Sequence, residues 1–197
     1  MFNRIINHIN LRKSQLMMVF FTIYIYILNT LKNIEISGGN RFFGFTKFYK
    51  ERNSKLKIGR SNVFRSSQFS NLIGINRPCV LSTLRPESNL NIGNCCGFSG
   101  TVINCFHQIS IGNNVMVGAN SLIMDGDWHL DDVRAGASNA VMIEDNVWIG
   151  EGVKVLKGVR IGKNSVIGAG SIVTKDIPEN VFAAGNPCRV LKNLDGK

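Results

Sequence analysis

The sequence predicts an all-β chain wound into a parallel β-helix of six-residue repeats, and three observations carry that expectation. The first is a phrase present in three copies: Ile111-Gly112-Asn113-Asn114-Val115-Met116-Val117-Gly118, then Ile143 to Gly150, then Ile161 to Gly168. The second is a further aliphatic at the same offset in each copy: Ile123, Val155 and Val173. An aliphatic every six residues, often followed by Gly, marks strands too short to bury anything alone and stable only when stacked. The third is Asn114, Asn146 and Asn164 at one turn position. Asn tolerates the positive φ that a corner between strands demands.

At 197 residues the chain is one repeat domain with flanks. It opens on a basic, apolar extension, residues 1–57. Residues 1–65 hold twelve Lys/Arg and two acids, whereas the remainder holds eleven of each, so the net +10 belongs to the N-terminal third. The longest apolar run, Leu16 to Leu28, has thirteen residues, fewer than the roughly twenty that span a bilayer. No small-residue cleavage site follows it; Asn29-Thr30-Leu31-Lys32 is a poor one. Two readings stand. Tyr24 and Tyr26, with Arg4, Arg12 and Lys13 upstream, suit peripheral membrane contact through residues 1–35. A helix or strand covering the solenoid's open end suits the same residues. Nucleic-acid binding is not expected, since no recognised motif accompanies the basic residues.

The solenoid proper is expected over residues 58–177. Coil starts fall at Ile58, Ile75, Ile92, Ile111, Ile143 and Ile161, giving about six coils. The step from Ile111 to Ile143 is long by roughly fourteen residues, which form a loop at 124–142. Residues 178–197 make a short C-terminal cap and tail. Inward positions two before each aliphatic hold Val115, Val147, Val153 and Val159, with the smaller Ser165 and Ser171. Cys79, Cys95, Cys96, Cys105 and Cys188 are odd in number and lack CxxC spacing. They read as buried free thiols in a reducing cytoplasm, with no disulfide framework and no metal site.

The chemistry rests on one histidine. His8 lies in the extension and His107 in an irregular stretch where a structural role is expected; His129 ends the phrase Met124-Asp125-Gly126-Asp127-Trp128-His129, where the chain leaves the coil for its loop. A loop held by a rigid scaffold is the usual seat of catalytic groups, and an imidazole is the natural general base near neutrality. Asp127, or Asp125, is placed in sequence to hold the other ring nitrogen.

The phrases Asn146-Val147-Trp148-Ile149-Gly150, Val166 to Pro178, and Ala184 to Lys192 closely resemble the hexapeptide-repeat acetyltransferases. The resemblance is to the branch of galactoside and maltose acetyltransferases and polysaccharide O-acetyltransferases of the colanic acid type. It covers residues 92–195 well, 58–91 loosely and 1–57 hardly at all. It implies a left-handed β-helix, a homotrimer with sites in clefts between subunits, and acetyl-CoA as acyl donor. It also implies His129 as the base that deprotonates an acceptor hydroxyl. Gly150 is then a candidate N–H donor to the oxyanion. Ala169 lets the pantetheine lie along the coil, Thr174 and Lys175 match cofactor-binding positions, and Arg189 and Lys192 match basic positions that meet phosphate. Glu151 departs from the small polar residue common there, which puts that contact in doubt. Ser99 falls near a substrate position, and Trp128 is suited to stack on a sugar face or to anchor the loop. Asp131, Asp132 and Arg134 offer polar contacts in the loop.

The leading expectation is O-acetylation of a carbohydrate in capsule, exopolysaccharide or lipopolysaccharide synthesis, in the cytoplasm or at the inner face of its membrane. N-acetylation of an amino sugar nucleotide is the alternative enzyme. A non-catalytic β-helical scaffold is the alternative outside catalysis. Serine acetylation fits less well, for want of a long helical N-terminal domain. A γ-type carbonic anhydrase on this fold needs three convergent His ligands, which one His outside the array cannot complete.

Overall fold

Strands of two to five residues recur through residues 35–193 and stack into three parallel sheets that wrap one apolar column. The computed structural model describes residues 2–129 and 132–194, with side chains from Gln15 onward. A helix, α1 (Phe2–Lys32), comes first. Coil one is β1 (Glu35–Ile36), β2 (Arg41–Phe43) and β3 (Lys47–Lys50); coil two is β4 (Lys55–Ile58), β5 (Val63–Arg65) and β6 (Val80–Thr83). Coil three is β7 (Asn89–Ile92), β8 (Gly97–Ser99) and β9 (Val102–Cys105); coil four is β10 (Gln108–Ile111), β11 (Met116–Val117) and β12 (Leu122–Met124). Coil five is β13 (Val141–Ile143), β14 (Trp148–Ile149) and β15 (Lys154–Val155). Coil six is β16 (Arg160–Ile161), β17 (Val166–Ile167) and β18 (Ile172–Val173). The chain ends in β19 (Val181–Ala184) and β20 (Arg189–Asn193), which pair antiparallel.

Sheet A holds the first strand of each coil, sheet B the second with β19 and β20, and sheet C the third. The register aligns Ile36, Ile58, Ile92, Ile111, Ile143 and Ile161 in one column, which a bridge extends to Ile177. All but Ile36 are buried. Burying an aliphatic of this size contributes about 1.5–3 kcal/mol, so the column is a large part of the fold's stability.

Two corrections to the sequence reading follow from this register. Ile58 pairs with Ile92 directly, so residues 58–91 make one coil with an inserted loop at 66–79, not two coils. Ile75 is buried, but under that loop rather than in the column. Residues 35–50 also pair into all three sheets, so the solenoid begins one coil before Ile58 and the extension is essentially α1.

The corners show why Asn and Gly recur. Asn114, Asn146, Asn164 and Asn180 all have φ between 55° and 60°, and their side-chain amides bond in a ladder at 3.2, 3.1 and 2.8 Å. Gly150 has no positive φ; a Cβ there would lie 2.6 Å from the Ala169 nitrogen, so close stacking demands it.

Candidate active site

Coil four ends at Met124, and the following residues project from the corner between sheets C and A. The neck of this loop is tightly held. The Asp125 carboxylate is fully buried and accepts hydrogen bonds from the Phe106 and His107 N–H groups at 2.6 and 2.9 Å. The Asn139 N–H closes the neck on the Asp125 carbonyl, and the Gly158 N–H donates to the Asn139 carbonyl, both at 2.9 Å. A charge buried this deeply needs such donors, and here they fix the path of the chain toward His129.

His129 is exposed beyond this neck, and its imidazole makes no hydrogen bond among the described residues. Its carbonyl accepts the Asp132 N–H at 3.1 Å. Trp128 is exposed on one face, with its ring edge-on to Phe106 at 5.4 Å. That contact anchors the indole and leaves most of it open to stack on a ligand. Asp132 pairs with Arg134 in the exposed loop, and the guanidinium lowers the Asp132 pKa. Asp131 lies outside the described residues.

Three expected roles need correction. Asp127 pairs with Lys157 at 2.7 Å, and among the described residues no hydrogen bond links it to His129. The adjacent Asp125 is spent on backbone N–H groups. Neither acid orients the imidazole, because each finds a closer donor. The Gly150 N–H donates to the Ile167 carbonyl at 2.8 Å, inside the parallel ladder, and has no second proton for an oxyanion. At that corner the Glu151 and Ala169 N–H groups both lack an acceptor among the described residues. Ser99 is buried, and its hydroxyl accepts the Asn71 amide at 3.1 Å from the inserted loop. That loop covers it.

The remaining residues fall in three places. Gly150 and Ala169 lie at the corner between sheets B and C, Ala169 exposed. Thr174 and Lys175 lie exposed after β18, at the corner between sheets C and A that also carries His129 and Lys157. Arg189 and Lys192 are exposed on β20, with the Lys192 ammonium 5.8 Å from the Phe182 ring. Within one chain, sheet C separates His129 from Gly150 and Ala169. Lys157 was missed because a pair between residues 127 and 157 has no local sequence signal; only the coil register brings them together.

A cavity of about 360 Å³ lies elsewhere, between α1 and the first coils, lined by Ile25, Leu28, Phe45, Phe48 and Val80 with others. None of the residues singled out for chemistry lines it. Among the described residues, no cluster of three His, Cys, Asp or Glu side chains is placed to hold a metal.

Residues 140–175 match the family model of the bacterial transferase hexapeptide, and residues 108–126 match the hexapeptide repeat of succinyl-transferase. A galactoside O-acetyltransferase of Lactococcus lactis is 54% identical over 92 residues, which span 45% of this chain and 44% of that protein. The chain spans about half the length of the curated relatives it matches. Two solved structures share its fold. A hexapeptide-repeat acetyltransferase of Vibrio cholerae, complexed with acetyl-CoA, gives a TM-score of 0.53 at 22% identity over 87% of this chain and 76% of that one. An N-acyltransferase of Bacillus cereus, complexed with CoA and a nucleotide-linked amino sugar, gives 0.61 at 16% identity over 84% and 88%. The shared architecture is a left-handed β-helix.

Proposed function

The chain belongs to the hexapeptide-repeat acetyltransferase family, and from that premise we propose that it moves an acetyl group from acetyl-CoA to a carbohydrate hydroxyl. One observation carries the reading: His129 stands exposed on a neck that Asp125 and Asn139 hold in place. An unhindered imidazole on a fixed support is what a general base needs. It takes the hydroxyl proton as the oxygen attacks the thioester carbonyl. The tetrahedral intermediate then expels the CoA sulfur, which receives that proton from the imidazolium, and the acetyl ester is left. The oxyanion needs an N–H donor; the Glu151 N–H, which with that of Ala169 lacks an acceptor at the corner, is a candidate, and the Glu151 side chain is half-buried.

The donor's features fit the exposed residues. Ala169 leaves room for a pantetheine arm, Thr174 offers a hydroxyl, and Lys175, Arg189 and Lys192 offer cations for phosphates. Exposed Trp128 supports a sugar acceptor. The separation of His129 from Gly150 and Ala169 by sheet C supports a homotrimer in which a second copy completes the site. Met116 and Trp148, register partners exposed on the outer face of sheet B, support such packing. Polysaccharide biosynthesis is the pathway this acceptor class suggests. N-acetylation of a nucleotide-linked amino sugar is the second reading, because the Bacillus cereus N-acyltransferase carries that acceptor on this fold.

The test is thiol release from acetyl-CoA by the full chain, against sugars, oligosaccharides and nucleotide-linked amino sugars. The product is then treated with neutral hydroxylamine, which cleaves esters and spares amides. A hydroxylamine-labile acetyl sugar is expected. A stable amide would move the assignment to N-acetylation, and no acceptor-dependent release by a protein that binds CoA would remove the carbohydrate acceptor.

A further inference from the structure

The helix α1 is apolar on two opposite sides, and the solenoid uses one of them. Ile25 and Asn29 are buried on the inner side, with Phe21 and Tyr26 packed against the core. Polar bonds hold this side down: the Phe42 N–H donates to the Thr22 hydroxyl at 3.1 Å, and the Tyr26 hydroxyl donates to the Ser37 carbonyl at 2.6 Å. The outer side carries Leu16, Val19, Phe20, Ile23, Ile27 and Leu31, each more than half exposed. Their spacing of three and four residues makes one continuous stripe along the helix. The stripe runs on into the first coil, where exposed Phe45 packs on Tyr24 at 5.9 Å. A helix apolar all round has apolar neighbours on both sides, and this one has only half of them.

Charge identifies the missing neighbour. Around this end stand Lys32, Arg41, Lys47, Lys55, Lys57 and Arg60, all exposed. The only two acids of residues 1–65 are engaged locally, Glu35 with Lys57 at 3.5 Å and Glu51 with the Tyr49 hydroxyl at 3.1 Å. A stripe of apolar side chains framed by cations complements a surface with anions over hydrocarbon, which is an anionic lipid bilayer. A second copy of this end is disfavoured, since each carries the same excess of ten positive charges. The segment Gln15–Lys32 is apolar enough to cross a membrane by composition. Crossing would strip Ile25, Thr22 and Tyr26 of the partners they hold. We propose that α1 lies flat between the solenoid and an anionic membrane surface, its inner side capping the coils and its outer stripe seated among the lipids.

This proposal is independent of the acyl-transfer reading, because its test reads lipid binding. Full-length protein is floated with vesicles of phosphatidylcholine alone and with added phosphatidylglycerol, followed by alkaline carbonate extraction. Variants are the double substitution Ile23→Ser/Ile27→Ser on the stripe and Leu72→Ser, a fully exposed apolar residue of the inserted loop. Circular dichroism and the thermal midpoint report whether each variant is folded. The wild type is expected to bind anionic vesicles at least about tenfold more tightly than neutral ones and to be released by carbonate. The double variant is expected to stay folded and lose about tenfold or more in binding, with Leu72→Ser unchanged. Four results overturn the proposal: no binding by folded wild type, binding indifferent to the double substitution, resistance to carbonate, or self-association that the double substitution abolishes without any lipid binding.

Discussion

The two ends of the solenoid are closed in different ways. At the C-terminal end the chain caps itself: β20 folds back antiparallel on β19, exposed along its whole length, with Ala183 and Cys188 buried nearby. A solenoid end has one apolar face to remove from water, and here a single short strand ends the stack, with Val190 and Leu191 its two exposed apolar residues. At the N-terminal end the cap is a long helix that is apolar outside as well as inside. The interiors differ in the same direction. The sheet B column is aliphatic in Val117, Ile149 and Ile167, but aromatic in Phe42, Phe64 and Phe98, stacked at 4.9 and 5.1 Å. Buried Asn40 and Asn62 stand beside those rings, and the Asn40 side-chain Oδ1 accepts the Asn62 backbone N–H at 2.8 Å. The lesson is that one winding rule admits two kinds of end, one of which leaves a surplus of apolar surface outside its cap.

The largest test of this contrast is Phe64→Ala. It removes the middle ring of the stack, and its expected cost is about 3–5 kcal/mol. Val155→Ala, fully buried in the aliphatic coils, should cost about 2 kcal/mol. Guanidinium denaturation of both variants measures the difference, and equal costs would break the contrast. Next come the two sides of α1. Ile25→Ala should cost about 2–4 kcal/mol because its side chain is buried. Ile23→Ala should stay within about 0.5 kcal/mol, although both residues lie in the same helix.

The thiols give a smaller effect with a definite sign. Burial, with the nearby Asp125 charge second, pushes Cys105 up to about 12, and burial pushes Cys96 up to about 11. An unfolded thiol ionises near pH ~8.5, so above that pH the folded chain retains protons that the unfolded chain releases. This contribution to stability is therefore whole below pH ~8.5 and is lost as pH rises toward 11 to 12. The guanidinium midpoint should fall between pH ~9 and ~11, and fall less in Cys96→Ser. At pH ~8, native protein should react with a thiol reagent rapidly at Cys95 alone, which is the exposed one. Smallest is Asp127→Asn. Its pair with Lys157 is partly exposed, so stability should change by about 0–1 kcal/mol in a denaturation midpoint.

The aliphatic coils were legible because each repeats Ile at its start and Asn at a corner with positive φ, as Asn146 and Asn164 do. The first coil was not, because Phe42 and Phe48 replace the aliphatics and buried Asn40 and Thr46 replace the small apolar residues. Ile75 misled for a physical reason: it is buried like a column residue, but a loop rather than a strand buries it. His129 was placed correctly at the mouth of its loop, since the surplus between Ile123 and Val141 is visible in the repeat spacing. The roles of Asp127 and Gly150 were not legible. Each depends on a partner about a coil or more away in sequence, Lys157 for the first and Ile167 within the ladder for the second.

The claim that acyl transfer turns on His129 is tested most directly by comparing wild type with His129→Gln for CoA binding and for acceptor-dependent thiol release. The account predicts CoA affinity within about threefold, since the exposed Ala169, Thr174, Lys175, Arg189 and Lys192, and not the imidazole, are the groups proposed to hold the donor, and thiol release lowered by at least about a hundredfold. Transfer that survives in a variant still binding CoA would contradict it.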